Sequence, residues 1–244
     1  QSITFSASAN PIAYQGANPV FIDSESETWN MDPQLLKTAL LEAKEKGNLP
    51  KAIIPVHLYG MPAKMYEIIS VAKEFNVPVI EDAAEALGSN INNKPCGSYG
   101  EFGVLSFNGN KIITTSGGGA LLSNNAEMIE QARFLATQAR DPAPHYQHSH
   151  IGFNYRMSNV LAGIGRGQLE VLNERVEARR SNYYRYVSYF SRMNQNGFNI
   201  KFQEEPDGYF SNRWLTSILI DPKLNNGLTR EIIRLTLDEE NIES

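Results

Sequence analysis

Short apolar, β-branched runs alternate with segments of helical periodicity along the first third of the chain. Strand-like runs occupy residues 18–23, 51–56 and 77–82, and helix-like segments occupy 32–47 and 63–76 between them. Parallel strands cannot be joined by a tight turn, so they are usually connected by a crossover helix. This order therefore predicts an α/β fold with a mostly parallel sheet flanked by helices.

The rest of the chain has a different pattern. It predicts two close strands, a helix, a long helical stretch and a final strand, at 100–107, 118–123, 126–138, 158–193 and 212–220. From this pattern we expect three parts: a large domain over 1–157, linking helices over 158–195, and part of a smaller α/β domain over 196–244.

Composition narrows the classes of function. The formal net charge of the 244 residues is −5, which argues against a basic face that would bind nucleic acid. The single cysteine, Cys96, excludes an internal disulfide framework and favours a cytoplasmic location. No apolar run approaches the roughly 20 residues that a membrane span requires. We therefore expect neither a nucleic-acid partner nor a membrane.

The histidines do not predict a metal centre. The four residues are His57, His145, His148 and His150. Their spacing fits no helical or turn pattern of metal ligands, so we expect no metal.

Asp82 stands at the carboxyl end of the predicted strand 77–82. Ligands of open parallel sheets bind outside these strand ends. A carboxylate that emerges from an apolar run needs a cation or a strong donor as partner. The alternative is an N-cap for a helix in "AAEALG", because aspartate is a favoured capping residue.

Lys111 lies in the segment "FNGNKIITTSGGGALL", between two predicted strands and before the glycines 117–119. It is either a solvated loop lysine or a nucleophilic amine of the kind that forms a Schiff base. The glycines either allow close backbone approach or form a hairpin turn. An amine that bonds an aldehyde and an acid that pairs with a ring nitrogen are the two groups that pyridoxal phosphate chemistry requires.

Five motifs together carry a family resemblance. They are "TFSASANPIAYQGANPVFID", "IIPVHLYGMP", "VIEDAAEALGS", "GEFGVLSFNGNKIITTSGGGAL" and "GFNYRMSNVLAGIGRGQLE". In their order and spacing the chain resembles the sugar-nucleotide aminotransferases of the DegT/DnrJ/EryC1/StrS family. The resemblance extends over nearly all residues and implies the large domain of a fold type I pyridoxal 5′-phosphate (PLP) dependent aminotransferase, with part of its smaller domain.

The resemblance implies three residues around the cofactor ring. Lys111 binds PLP through its amine and later moves a proton between cofactor and substrate. Asp82 forms a salt bridge with the pyridine nitrogen. Glu85 lies near the ring, where many relatives have histidine or glutamine, although a glutamate in the first turn of an exposed helix is the alternative.

Three further residues follow from the resemblance. Phe5 stacks on the cofactor ring, and Ser106 donates a hydrogen bond to the cofactor phosphate. Asn154 reaches the phosphate in the neighbouring subunit, which implies a homodimer with shared active sites.

The implied reaction transfers an amino group from L-glutamate to the C4 ketone of a nucleotide-linked 4-keto-6-deoxy sugar. The motifs "EDAAEALGS", "NGNKIITTSGGG", "ATQAR" and "SNRWL" favour a UDP-N-acetylated sugar in bacterial cell-surface glycan biosynthesis. One alternative is an aminotransferase of the GDP-perosamine synthase type. The second is a non-catalytic regulator or binding domain, which would not require both Asp82 and Lys111.

The resemblance also implies that the chain is a fragment. In the family, a phosphate-binding segment precedes the position of Phe5, and the C-terminal domain extends beyond the position of Ser244. We therefore expect the complete protein to be the active species.

Overall fold

Seven α-helices and eight short strands make up the computed structural model, which describes residues 1–244. The helices are α1 (Asn10–Tyr14), α2 (Pro33–Glu45), α3 (Met65–Glu74), α4 (Ala126–Ala136), α5 (Asn159–Glu170), α6 (Leu172–Gln195) and α7 (Arg230–Glu239). The strands are β1 (Ile80–Asp82), β2 (Asn90–Ile91), β3 (Lys94–Pro95), β4 (Phe102–Ser106), β5 (Gly119–Leu122), β6 (Ile200–Phe202), β7 (Tyr209–Phe210) and β8 (Ile218–Ile220). The strands form three sheets, in the orders β1-β4-β5, β3-β2-β7 and β6-β8.

The sheet that contains β1 has one edge at which its parallel strands end, and this edge is called the functional edge below. Strands β1 and β4 are parallel, with Asp82 opposite Val104, while β5 returns antiparallel to β4. Residues 51–56 run parallel to β1 on its other side, through bridges from Ile53 to Val79 and from Val56 to Asp82. The carboxyl ends of these three parallel segments therefore lie at one edge of the sheet.

Helices α2 and α3 cover the main core. Asp32 caps α2 by accepting hydrogen bonds from the N–H groups of Gln34 and Leu35, as its position before the helix predicts. Leu36 and Leu40 lie one turn apart on α2 and are both buried. They belong to a cluster of 14 buried apolar residues that also includes Ile53, Val79 and the inner face of α3.

Several predicted strands are shorter than the sequence pattern indicates. Residues 18–23 form no strand, and Val20 and Phe21 are exposed. Residues 51–56 form isolated bridges rather than a continuous strand, and Pro55 lacks the N–H group that a ladder would use. Of residues 212–220, only β8 at Ile218–Ile220 is a strand.

The C-terminal part contacts the first part through a shared sheet. Strand β7 pairs antiparallel with β2, which joins residues 209–210 to residues 90–91. Gln203 also donates from its amide to the Thr28 carbonyl. The division into a large domain, linking helices and a small domain remains a prediction. None of the helices combines the length and the apolar character needed to cross a membrane.

Candidate active site

Asp82 ends β1 at the functional edge of the sheet. Its Oδ2 accepts a hydrogen bond from Ser8 Oγ at 2.6 Å, and its Oδ1 accepts the Ala84 N–H at 3.2 Å. The helix-cap interpretation is wrong, because residues 83–88 form turns and no helix follows. The carboxylate is thus held in place from two sides while it keeps free acceptor capacity.

The preceding residue, Glu81, points into the core. Its carboxylate accepts the backbone N–H groups of Gly97, Tyr99 and Gly100 and contacts the buried imidazole of His57. Burial alone would raise the pKa of Glu81, but His57 and these N–H groups stabilise the anion and lower it. Because side chains alternate along a strand, the two consecutive acids lie on opposite faces.

His57 supports this network through both of its ring nitrogens. Its Nδ1 accepts the Ala63 N–H at 2.9 Å, so this nitrogen carries no proton. Its Nε2 lies 3.1 Å from Glu81 Oε2 and is therefore the donor of that hydrogen bond. Glu81 and His57 serve the architecture below the site rather than the site itself.

Lys111 is not a solvated loop lysine. Its side chain is 12% exposed, and its Nζ lies 3.6 Å from Glu85 Oε1. On its other side, Nζ lies 4.0 Å from the ring centroid of Trp214. The amine is therefore enclosed between a carboxylate and an aromatic face.

Glu85 is buried beside Lys111, and its interpretation as an exposed helix residue is wrong. Its Oε2 accepts the Tyr59 N–H at 2.6 Å. Burial raises the pKa of Glu85, and the negative charge of Asp82 adds to that effect, while the Tyr59 N–H and the Lys111 ammonium oppose it. Glu85 thus pairs with Lys111 and lies three residues after Asp82, and these three residues are called the cluster below.

The cluster of Asp82, Glu85 and Lys111 has the donor set that PLP requires. An amine can bond the cofactor aldehyde, and a fixed carboxylate can pair with a protonated ring nitrogen. The residues present therefore fit the cofactor.

Ser106 and Phe5 lie at the same edge as Asp82. Ser106 ends β4, opposite Gly119, and its Oγ accepts the Asn108 N–H at 3.3 Å. Phe5 is 72% exposed and directly precedes the helical turn Ser6–Ser8, whose last residue bonds Asp82.

Asn154 does not join this cluster within the chain. Its backbone bridges to Thr137, and its exposed side chain makes no hydrogen bond.

Sequence reasoning missed three contributors to the site: Ser8, Tyr59 and Trp214. Ser8 orients Asp82, Tyr59 supplies its N–H to Glu85, and Trp214 covers Lys111. Tyr59 has a positive φ of 56°, which local sequence does not reveal. The quoted motifs "TFSAS", "IIPVHLYGMP" and "SNRWL" contain these residues, but nothing local in them shows which side chain reaches the site.

Comparisons with known proteins agree with this geometry. The sequence matches the DegT/DnrJ/EryC1/StrS aminotransferase family over residues 1–244. It is 57% identical to EpsN of Bacillus subtilis strain 168, which carries the provisional name of a pyridoxal phosphate-dependent aminotransferase; the match covers 100% of this chain and 61% of EpsN. It is also 44% identical over 178 residues to the GDP-perosamine synthase of Caulobacter vibrioides, covering 73% of this chain and 46% of that enzyme.

The fold agrees with a solved family structure. A DegT/DnrJ/EryC1/StrS aminotransferase from Brucella abortus superposes with a TM-score of 0.87 at 31% identity, covering 99% of this chain and 62% of that one. The chain thus spans less than two thirds of the length of these relatives. These matches confirm the family, the fold class and the cofactor class predicted from the sequence: the chain belongs to the DegT/DnrJ/EryC1/StrS aminotransferase family.

Proposed function

We propose that the full-length protein transfers an amino group from L-glutamate to the C4 ketone of a nucleotide-linked 4-keto-6-deoxy sugar. The sugar is UDP-linked and N-acetylated, and the product enters bacterial cell-surface glycan biosynthesis. The observation that carries this proposal is that the largely buried pair of Lys111 and Glu85 lies near Asp82, which ends β1 at the carboxyl edge of the sheet.

Each residue of the cluster has a role in this proposal. Bound PLP supplies an electron sink that allows proton removal from the carbon next to the transferred nitrogen. Lys111 binds the cofactor through its amine and moves that proton. Asp82 pairs with the ring nitrogen, and its bonds to Ser8 and Ala84 hold it in one orientation before binding. Glu85 lies beside the amine and can hold a proton, since burial raises its pKa.

The remaining predicted contacts stay part of the proposal. Phe5 presents an exposed ring next to the segment that bonds Asp82, which supports stacking on the cofactor. Ser106 lies at the functional edge, which supports a bond to the cofactor phosphate.

We also propose a homodimer with shared active sites, because the side chains next to Asn154 are exposed. The neighbouring Ile151 and Tyr155 are 89% and 75% exposed. A second copy of the chain that covers these side chains would place Asn154 next to the cofactor phosphate of that second copy. We also place the enzyme in the cytoplasm, because its single cysteine is a buried free thiol.

The names of relatives favour a nucleotide sugar but differ in the details. Matches to enzymes named GDP-perosamine synthase, including the one from C. vibrioides, support that reaction as the second candidate. A relative from Acidithiobacillus ferrooxidans, 32% identical over 209 residues, is named for 3-amination of a UDP-linked glucosamine. The carbon that is aminated and the nucleotide therefore have to be tested together.

The cofactor assignment is tested first, on the full-length protein. Added PLP should give an absorbance band near the visible edge, and borohydride should abolish the band and leave the label on the peptide that contains Lys111. Lys111→Ala should show neither the band nor that labelled peptide. A band that persists in Lys111→Ala contradicts the assignment and favours the non-catalytic binding domain.

The substrate is tested next. We would incubate the loaded enzyme with L-glutamate and a panel of UDP-, GDP- and dTDP-linked sugars that carry a ketone at C3 or C4. The proposal expects 2-oxoglutarate release with a UDP-linked, N-acetylated 4-keto sugar. Faster release with the GDP-linked 4-keto sugar selects the second candidate, and release only with 3-keto sugars overturns the C4 assignment.

A further inference from the structure

Trp214 enters the site from the C-terminal part of the chain. It is 6% exposed and lies with its indole face against the Lys111 ammonium, at 4.0 Å from Nζ to the ring centroid. Its Nε1–H donates to the carbonyl of Asn110 at 2.7 Å. One side chain thus contacts both the amine and the turn that carries it.

The position of Trp214 is itself fixed, through Asn212. The fully buried Asn212 side chain donates to the carbonyls of Glu85 and Leu87 and accepts the Trp214 N–H. Its backbone N–H donates to Ser89 Oγ. Because these bonds use buried groups on both sides, the indole is anchored to the same loop that carries Glu85.

Lysine needs such support more than most residues. Its four-carbon stem is flexible, so an unsupported ammonium on a turn samples many positions. Here Glu85 attracts the ammonium from one side at 3.6 Å, and the indole face attracts it from another. The Asn110 bond restricts the backbone next to Lys111 at the same time.

We propose that Trp214 is a positioning residue for Lys111: its indole face and its Nε1–H hold the amine and its turn in the place where the cofactor aldehyde is bonded. This inference rests on the proposed function, since it concerns the same amine. The lysine side chain loses conformational entropy when the protein folds, because Trp214 and Glu85 already hold it. Less entropy is therefore lost when the cofactor binds. The C-terminal part thereby contributes to cofactor capture through Trp214.

The test compares cofactor capture in three variants of the full-length protein. Trp214→Leu removes both the aromatic face and the N–H donor. Trp214→Phe removes the donor and keeps a smaller aromatic face. Trp29→Leu is the matched control, because Trp29 is the only other tryptophan and its ring makes no cation–π contact with Lys111. Each variant is titrated with PLP and trapped with borohydride, and the fraction labelled at Lys111 is measured by peptide mass spectrometry.

We expect Trp214→Leu to raise the PLP concentration for half-maximal labelling of Lys111 by about 2- to 10-fold, the range set by the cost of ordering one long side chain on binding. Trp214→Phe should fall between Trp214→Leu and the wild type, and Trp29→Leu should match the wild type. The circular dichroism of the bound cofactor band should also change in Trp214→Leu, because this signal depends on how the cofactor is oriented. A side chain that only stabilises the fold would leave this signal unchanged.

Wild-type labelling concentrations and an unchanged cofactor band in Trp214→Leu would overturn the inference while leaving the proposed function intact. If Trp214→Leu does not fold, as judged by far-ultraviolet circular dichroism, an unchanged Trp214→Phe overturns it instead. A wild-type protein that is never labelled at Lys111 overturns the proposed function itself.

Discussion

Two buried glutamates four residues apart have opposite pKa shifts. Glu81 receives three backbone N–H groups and the His57 ring, and its pKa is lowered even though burial opposes this. Glu85 receives one N–H group and a lysine at 3.6 Å, and burial prevails, so its pKa is raised. The donors around each acid, rather than the depth of burial alone, set the direction of its pKa shift.

Glu81→Gln should destabilise the fold by about 3 kcal/mol. The Glu81 carboxylate offers two acceptor oxygens to its buried donors, whereas the amide of glutamine offers only one. Since the pKa of Glu81 is lowered by folding, its contribution is present above its ordinary value of 4.5 and is lost as the pH falls below that value. Urea denaturation between pH 3 and pH 7 should therefore show a flatter profile in the variant.

The control for this variant is Glu101→Gln. Glu101 also accepts a backbone N–H, that of Val79, but the residue is exposed, and we expect a change of less than about 1 kcal/mol. Equal losses in the two variants would show that the buried donors around Glu81 add nothing.

Glu85→Gln should have the opposite effect on stability at neutral pH. Folding raises the pKa of Glu85, so the folded state binds its proton more readily and wild-type stability falls as the pH rises above 4.5. The variant lacks this loss and should be the more stable protein at pH 8, with the difference shrinking towards pH 4.5. Thermal unfolding across this range measures it, with exposed Glu130→Gln as the control.

At the scale of elements, the loop after residues 51–56 is shaped by a contact with the C-terminal part. Tyr59 and Gly60 both have positive φ angles, 56° and 90°. A Cβ on Gly60 would overlap with the Asn212 side chain, which is completely buried. The backbone bond from Tyr59 to Glu85 depends on this conformation.

Gly60→Ala should destabilise the protein by about 3 kcal/mol, because it adds an overlap with Asn212 to the strain of a positive φ. Gly47→Ala is the matched control: Gly47 has a φ of 66° with open space around it, so it should lose only about 1 kcal/mol. Chemical denaturation measures the free energy of unfolding of both variants. The difference between their losses is the effect of the overlap with Asn212. Losses of the same size would contradict the close packing at Gly60.

The sequence predicted the elements that depend on local signals. Helix α2 begins after its Asp32 cap and carries the expected buried stripe, and β4 and β5 lie within the predicted ranges. Residues 18–23 resemble a strand because they are apolar, yet a strand needs a continuous partner. Only two backbone bonds reach them, from the Ser2 N–H to the Ile22 carbonyl and from the Asp32 N–H to the Asp23 carbonyl.

The site was predictable only in part, for a related reason. Asp82 and Lys111 could be selected because their chemistry and their place between strands are visible in the chain. Trp214 bonds a residue 104 positions away, and no periodicity reports such a contact. Tertiary contacts of this kind are determined by packing, not by local pattern.

At the scale of the whole molecule, the proposed dimer makes each site depend on two copies. Asn154 is exposed and is not hydrogen-bonded within its own chain, and apolar side chains surround it. Lys111 lies in the interior of its own copy. The two residues should therefore act in different sites of the same dimer.

Mixing two inactive full-length variants tests this arrangement. Lys111→Ala and Asn154→Ala should each lack most aminotransferase activity. After subunit exchange, half of the dimers are mixed and each has one intact site, so about a quarter of wild-type activity should return. Light scattering checks the dimer, and 2-oxoglutarate release measures the activity. No recovery after proven exchange would mean that Asn154 serves its own copy.

The side-by-side acids at the end of β1 have a consequence for how this chain tolerates change. Glu81 is locked into the interior by its donors, and that anchoring dictates which way Asp82 must face. An insertion or deletion of a single amino acid just before this strand would turn Asp82 inward and Glu81 outward. Among relatives, the number of residues just before this strand should accordingly vary far less than the identity of the neighbouring apolar side chains.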